Sequence, residues 1–332
     1  MNVLADLAAQ NLLSPMVLSF ALGFLAGRLK SDLSIPEAAS KAIALYLMVA
    51  IGWKGGTELA HAGLTAAVAA SAFVAVGLSL TLPAVAFALL RLMTRVNPVT
   101  AAAIAAHYGS VSVVTFVATT AFLSARHVAF EGHVVVMMAL METPAIVAGL
   151  LLARRFATER RTPGGPLLSR ELAREVFLSG SVVLLLGSFG IAWVSGTRGA
   201  PDVLAPLVGT PFKAVLCFFL LDMGLLAARR LGGASGFDPR LLIFGLVMPL
   251  VGAVIGLGAA WVLSLSAGGG TLLAALTASA SYIVVPAAMR LALPEANPGV
   301  YVTLALGVTF PFNLVVGIPL YHVVARAWLP LP

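Results

Sequence analysis

Charge is scarce in this sequence. Only 10% of its 332 residues are Asp, Glu, Lys or Arg, against about 25% in a soluble domain. A chain this poor in charge does not cover a water-facing surface of its own. Cysteine is scarcer still. The single Cys217 lies in an apolar stretch, which excludes an internal disulfide, and a thiol in such a place behaves as a small hydrophobe. Paired-cysteine metal motifs are absent, as are a phosphate loop, a nucleophile elbow and an HExxH helix, so no catalytic constellation is present. The histidines show no metal-ligand spacing. Aromatic residues make up 8% and are not interleaved with the basic ones, so the net charge of +7 is not a nucleic-acid signature. The period-two alternation of an outer-membrane barrel is missing too.

What is present is apolar: 60% of residues, with a mean hydropathy of +1.03. Runs of about 20 such residues must satisfy their backbone within each segment if they cross a bilayer, which makes them helices. The 32 glycines and 19 prolines fit membrane helices. The pattern predicts an all-α integral membrane protein of ten spans: Ser14–Leu29, Ala38–Trp53, Leu64–Leu92, Thr100–Leu123, His133–Ala153, Val176–Ser195, Pro211–Ala228, Leu241–Leu265, Thr271–Leu293 and Val300–Ala325. The fourth, ninth and tenth are interrupted by glycine, proline or small polar residues. Met1–Gln10 lacks a basic start and does not read as a cleavable leader.

The basic residues sit in short loops, where they encode orientation. With both termini outside, 15 of the 20 fall on the cytoplasmic side, six of them arginines between Arg154 and Arg174. That central loop lies near the midpoint of the chain. Three stretches align across it at a shift of about 168 residues: Lys54-Gly55-Gly56 with Asp222-Met223-Gly224, Ser110-Val111-Ser112 with Ser279-Ala280-Ser281, and Glu142-Thr143-Pro144-Ala145 with Thr309-Phe310-Pro311-Phe312. Five spans per half place the halves in opposite orientations, the inverted repeat of secondary transporters. The expected organisation is a first repeat over 1–153, a basic cytoplasmic linker over 154–175 that can hold anionic headgroups or dock a partner, and a second repeat over 176–332.

In such folds substrate sits between discontinuous helices at matching places in each half. The candidates are Ser110, Val111, Ser112, Val113 and Thr115 in span four, and Ser279, Ser281, Tyr282, Ile283 and Pro286 in span nine. Two helix N-termini facing each other at these breaks would hold an anion without a basic side chain. The other reading is a pair of small-residue packing faces. Ionisable residues inside the membrane are the next signal. Glu142 and His107 are candidates for carrying a coupling ion or proton. Asp222 is a further candidate; it either pairs with Lys54 across the pseudo-two-fold axis or snorkels to an interface. His61, His127, His133 and His322 fall near span ends and are expected at the interfaces.

The ordered series Ser14-Pro15, Ile35-Pro36-Glu37, Ile51-Gly52-Trp53-Lys54-Gly55-Gly56, Gly109-Ser110-Val111-Ser112 with Thr115, and Met141-Glu142-Thr143-Pro144-Ala145 resembles the sodium-dependent bicarbonate transporters of cyanobacteria and their bacterial relatives. Ser279-Ala280-Ser281, Pro286, Met289-Arg290, Pro294 and Asn297-Pro298 continue the likeness. It implies a core and a gate domain built from two five-helix repeats, in a bacterial inner membrane. It also implies an anion held by backbone amides at the two breaks with sodium as coupling ion, no other cofactor, a homo-oligomer of trimer type, and regulation by a PII-like cytoplasmic protein. Ser112 and Thr115 match hydroxyl residues of the family's first break, and Ser279 and Ser281 those of its second. The pattern differs at Val113-Val114, where the cyanobacterial members have Gly-Ser, at Tyr282, where they have an acid, at Val284-Val285, where they have Ser-Gly, and at Glu142, where they have Asp. The reading is a secondary active transporter of a small anion, bicarbonate or a small carboxylate, coupled to sodium or protons. The alternative is a transport-inactive membrane sensor or scaffold that binds a cytoplasmic partner.

Overall fold

A computed structural model of the chain describes residues 12–156, 174, 178, 180–199, 204–208, 210–232, 238–282 and 284–330. Most of the basic linker and the candidate Ile283 lie outside the described residues. Those residues form helices, with no strand among them: α1 (Pro15–Arg28), α2 (Glu37–Ala62), α3 (Ala66–Met93), α4 (Pro98–Gly109), α5 (Val113–Ala125), α6 (Val134–Glu142), α7 (Pro144–Phe156), α8 (Gly180–Thr197), the short α9 (Ala205–Val208), α10 (Thr210–Gly232), α11 (Pro239–Val262), α12 (Ala267–Thr277), α13 (Val284–Ala292) and α14 (Pro298–Trp328). Within α14 the backbone widens to π-helix at Thr303–Thr309 and Asn313–Gly317.

Local sequence explains most helix starts. Ser14, Asn97, Asp238 and Asn297 each precede a proline, and each side chain accepts a first-turn amide. The cap satisfies an amide that the helix leaves unpaired, and proline gives up an amide that had no acceptor. Six helical stretches are long and apolar enough to cross a membrane: Ala66–Met93, Pro98–Ala125, Val134–Phe156, Pro211–Gly232, Pro239–Val262 and Pro298–Trp328. The chain is therefore a multi-pass α-helical membrane protein.

One sequence boundary needs correction. The second span continues past Trp53 to Ala62, so Lys54 lies inside a helix rather than near its end. The polar Thr57-Glu58 and His61 lower the hydropathy there without breaking helical geometry. The fifth span, Val134–Phe156, is continuous in course, with Thr143 between α6 and α7 still in right-handed helical geometry.

Helix α1 runs along α10, and α2 runs along α8. Glycine makes both approaches close. A side chain at Gly23 would collide with the Leu221 backbone, and one at Gly224 with the Phe20 carbonyl; Gly52 and Gly56 meet the backbones of Leu185 and Phe189 in the same way. Helix α3 packs on α4 and α11 on α12, α4 on α7 and α12 on α14, while α3 and α11 meet each other. The broken spans are the centre of this assembly: Thr100–Gly109, Val113–Leu123 and Ala267–Thr277 are buried without exception. Their sequences, Ala101-Ala102-Ala103 and Ala267-Gly268-Gly269-Gly270, let neighbours pack close on every side.

Candidate functional site

Helix α4 ends where Gly109 gives way to an extended Ser110, whose amide still reaches the Ala106 carbonyl at 3.1 Å. Ser112, also extended, opens α5, and its hydroxyl accepts the Thr115 amide at 3.2 Å. On the other side α12 ends at Thr277. The Ser279 hydroxyl donates back to the Leu276 carbonyl at 2.7 Å, and Asn313 donates to the Ala278 carbonyl at 2.8 Å. The Tyr321 hydroxyl holds Asn313 from its far side at 2.7 Å. Helix α13 restarts at Val284 with Pro286 in its first turn. The backbone groups freed by both breaks are thus largely satisfied by neighbouring side chains, as unwound backbone at membrane depth requires.

The two breaks are bonded to each other. The Ser112 amide donates to the Ser279 hydroxyl at 2.8 Å, and the Ser281 amide donates to the His107 carbonyl at 2.8 Å. Each break therefore gives an amide to the other, which fixes their crossing.

Glu142 ends α6 beside this crossing. Its carbonyl accepts from the Ser110 hydroxyl at 3.2 Å. The Ser79 hydroxyl of α3 enters the α6–α7 junction, donating to the Met141 carbonyl at 2.6 Å and accepting from the Ala145 amide at 3.0 Å. Proline 144 offers no amide, so Ser79 takes over part of a helical ladder that the ring interrupts. On the other half the Thr309 hydroxyl donates to the Gly245 carbonyl at 2.8 Å and meets the Tyr108 hydroxyl at 2.5 Å.

These elements enclose a cavity of about 10 Å³ lined by Val111, Ser112, Val113, Glu142, Ser281 and Tyr282. That is room for roughly one water. Glu142 is 3% exposed as a residue, and its carboxyl has no hydrogen-bond partner among the described residues. The buried hydroxyl of Thr115 also has none among the described residues, and that of Tyr282 faces Ser112. Among the first-turn amides of α5, Ser112 engages that of Thr115, and those of Val113 and Val114 have no intrahelical acceptor. Val284 and Val285 stand in the same position in α13. Of these valines only Val113 lines the cavity, together with the hydroxyl-bearing Ser112, Ser281 and Tyr282 and the acidic Glu142.

The structure brings together most residues expected at the site. Ser110, Val111, Ser112 and Val113 meet Ser281 and Tyr282, with Ser279 bridging; Thr115 and Pro286 lie in the first turns behind them. His107 stays outside the cavity: its Nδ1 contacts the Ala103 carbonyl at 2.6 Å, its ring stacks on Tyr301 at 4.4 Å, and its Nε2 has no partner.

Asp222 is elsewhere. It accepts a hydrogen bond from Ser40 of α2, while Lys54 leans over the Phe130 ring at 4.9 Å. Of the two alternatives, the Lys54–Asp222 pair does not form: Asp222 meets α2 at Ser40, over three turns before Lys54 on the same helix, while Lys54 turns to Phe130. His322 is also misplaced by the sequence. It is buried inside α14 against Thr271 at 3.2 Å, not at an interface. Ser79, Tyr108 and Asn313 have no place in the sequence motifs, whereas Thr309 stands in the repeat alignment opposite Glu142. The only signal of the first three is a polar group inside an apolar run.

A family model described as the Na+-dependent bicarbonate transporter superfamily matches residues 15–326. No curated protein matches the chain at a significant level.

Proposed function

The chain belongs to the Na+-dependent bicarbonate transporter superfamily, and from that premise we propose that it is a secondary active transporter of a small anion, bicarbonate or a small carboxylate, coupled to sodium or protons. The observation that carries the proposal is the composition of the cavity at the crossing. The start of α5 reaches the cavity at Val113, the restart of α13 follows two residues after its Tyr282 wall, and helix starts favour an anion, yet Glu142 lines the same space. A carboxylate and an anion enclosed together repel each other unless a cation or a proton accompanies them. The site therefore favours taking the two together, which is the elementary condition for symport. The cavity's size, roughly one water, suits a closed state, and bicarbonate enters only if the crossing loosens.

The same proposal includes two inverted repeats, 1–153 and 176–332, joined by the basic linker over 154–175, with both termini outside a bacterial inner membrane. Its support is the pairing of helices. Exchanging the halves turns the α1–α10 contact into α8–α2, α3–α4 into α11–α12, α4–α7 into α12–α14 and α5–α12 into α13–α4, and all of these contacts occur. A homo-oligomer of trimer type and a PII-like regulator follow from family alone.

Uptake of labelled bicarbonate into proteoliposomes tests the reading. Flux driven by a sodium or proton gradient, and lost in Ser112→Ala/Ser281→Ala, is the expected result. No gradient-dependent flux of bicarbonate, acetate or other small anions would refute it.

A further inference from the structure

A second and larger cavity, of about 50 Å³, opens between α2, α5, the start of α6 and α10. It shares no lining residue with the cavity at the crossing. Its walls carry Phe116, Phe130 and Phe212, the hydroxyl-bearing Thr120, and two charged groups of opposite sign, Lys54 and Glu58.

Lys54 and Glu58 are one turn apart on α2, a spacing at which ammonium and carboxylate ordinarily pair. Here no ion pair joins them among the described residues. Lys54 instead rests over the face of Phe130 at 4.9 Å. The cavity is thus lined by one positive and one negative group, both half-buried, with the ammonium over an aromatic ring instead of in an ion pair. A lone anion drawn to Lys54 meets repulsion from Glu58, and a lone cation drawn to Glu58 meets Lys54. A molecule carrying both charges satisfies both at once. The Thr120 hydroxyl donates to the Val117 carbonyl at 2.8 Å, so its oxygen remains free to accept from a ligand. The volume corresponds to about four waters, the bulk of a small amino acid, and Phe116 and Phe212 offer an apolar surface to its side chain.

We propose that this cavity binds a small zwitterionic amino acid, with its carboxylate on Lys54, its ammonium on Glu58 and an aliphatic side chain against Phe116 and Phe212. This second site is independent of the anion site at the helix breaks.

The test is equilibrium binding of labelled L-alanine to the purified full chain in detergent, with acetate and methylammonium as probes that carry one charge each. L-alanine binds at least tenfold more tightly than either probe, a difference of about 1.4 kcal/mol. Lys54→Met and Glu58→Gln each weaken alanine binding by about tenfold or more, and the exchanged pair Lys54→Glu/Glu58→Lys recovers it to within about threefold. The recovery separates ligand recognition from a structural role. Acetate binding as tightly as alanine, or undetectable alanine binding, overturns the proposal on the unaltered chain, whatever the folding of the variants. Single variants that bind normally, or a folded exchanged pair no better than the singles, also overturn it. Binding is read without flux, so failure of the transport reading leaves this test intact.

Discussion

Replacing Glu142 by Gln isolates the group on which coupling depends. The carboxyl lines a cavity with room for roughly one water, so an anion admitted there lies on the order of 5 Å from it. At an effective dielectric of about 20, two like charges at that distance repel by about 3 kcal/mol. That is more than a hundredfold in affinity, and a cation or proton on the carboxylate cancels it. In the parent chain, the apparent affinity for the anion therefore rises steeply with the coupling cation. The amide keeps the shape of Glu142 and removes its charge, so the Gln variant binds the anion with an affinity independent of that cation. The assay is initial uptake of labelled bicarbonate into proteoliposomes, first varying sodium at fixed pH and then varying pH at fixed sodium. Whichever series loses its dependence in Glu142→Gln identifies the coupling ion. A Gln variant that keeps the parent's full dependence on both would refute the electrostatic reasoning.

Three further outcomes follow from the packing. Ser279→Ala removes the acceptor of the buried Ser112 amide, which costs about 1–3 kcal/mol and lowers the melting temperature of the purified protein. Ser79→Ala leaves the Met141 carbonyl and Ala145 amide at the α6–α7 junction without their shared partner. A loss of similar size, about 1–3 kcal/mol, is expected in the same melting assay, with a reduced maximal flux because Glu142 loses its support. Gly224→Leu drives a side chain into the Phe20 carbonyl across the α1–α10 contact. Overpacking of that kind costs typically 1–3 kcal/mol or more (about that range), so a sharp fall in the yield of folded protein is expected, whereas Gly77→Ala on the same scale is neutral because nothing lies near it.

Much of this architecture was legible in the sequence, and the reason is physical. Period, length and punctuation fix helices when backbone must be satisfied segment by segment, so the expected starts at Ser14, Thr100, Leu241 and Val300 fall within about two residues of Pro15, Pro98, Pro239 and Pro298, and the expected interruptions at Ser110–Thr115 and Ser279–Pro286 fall at the two breaks. The paired serines were visible because two copies of a short motif stand at one spacing. What stayed hidden depends on three-dimensional neighbours. The groups that Pro144 leaves without helical partners are met by Ser79, which is 65 positions away in sequence. Sequence register puts Asp222 opposite Lys54 and leaves pairing open, while in the fold Lys54 lies over Phe130. His322 near a chain end reads as interfacial, yet Thr271 offers it a buried partner. Ser79 and Tyr108 carry no pattern of their own, and the repeat register that marks Thr309 does not show its bond to Tyr108. Only the fold brings them together.

The central claim is that a small anion is held between the starts of α5 and α13, with Glu142 beside it. The most direct measurement is an experimental structure determined with bicarbonate and sodium at saturating concentration. The account predicts density bounded by the Val113–Val114 and Val284–Val285 amides, near Tyr282, with a crossing looser than the Ser112–Ser279 bond of 2.8 Å. A crossing that stays closed at saturation, with bicarbonate bound at another place or nowhere, would contradict it.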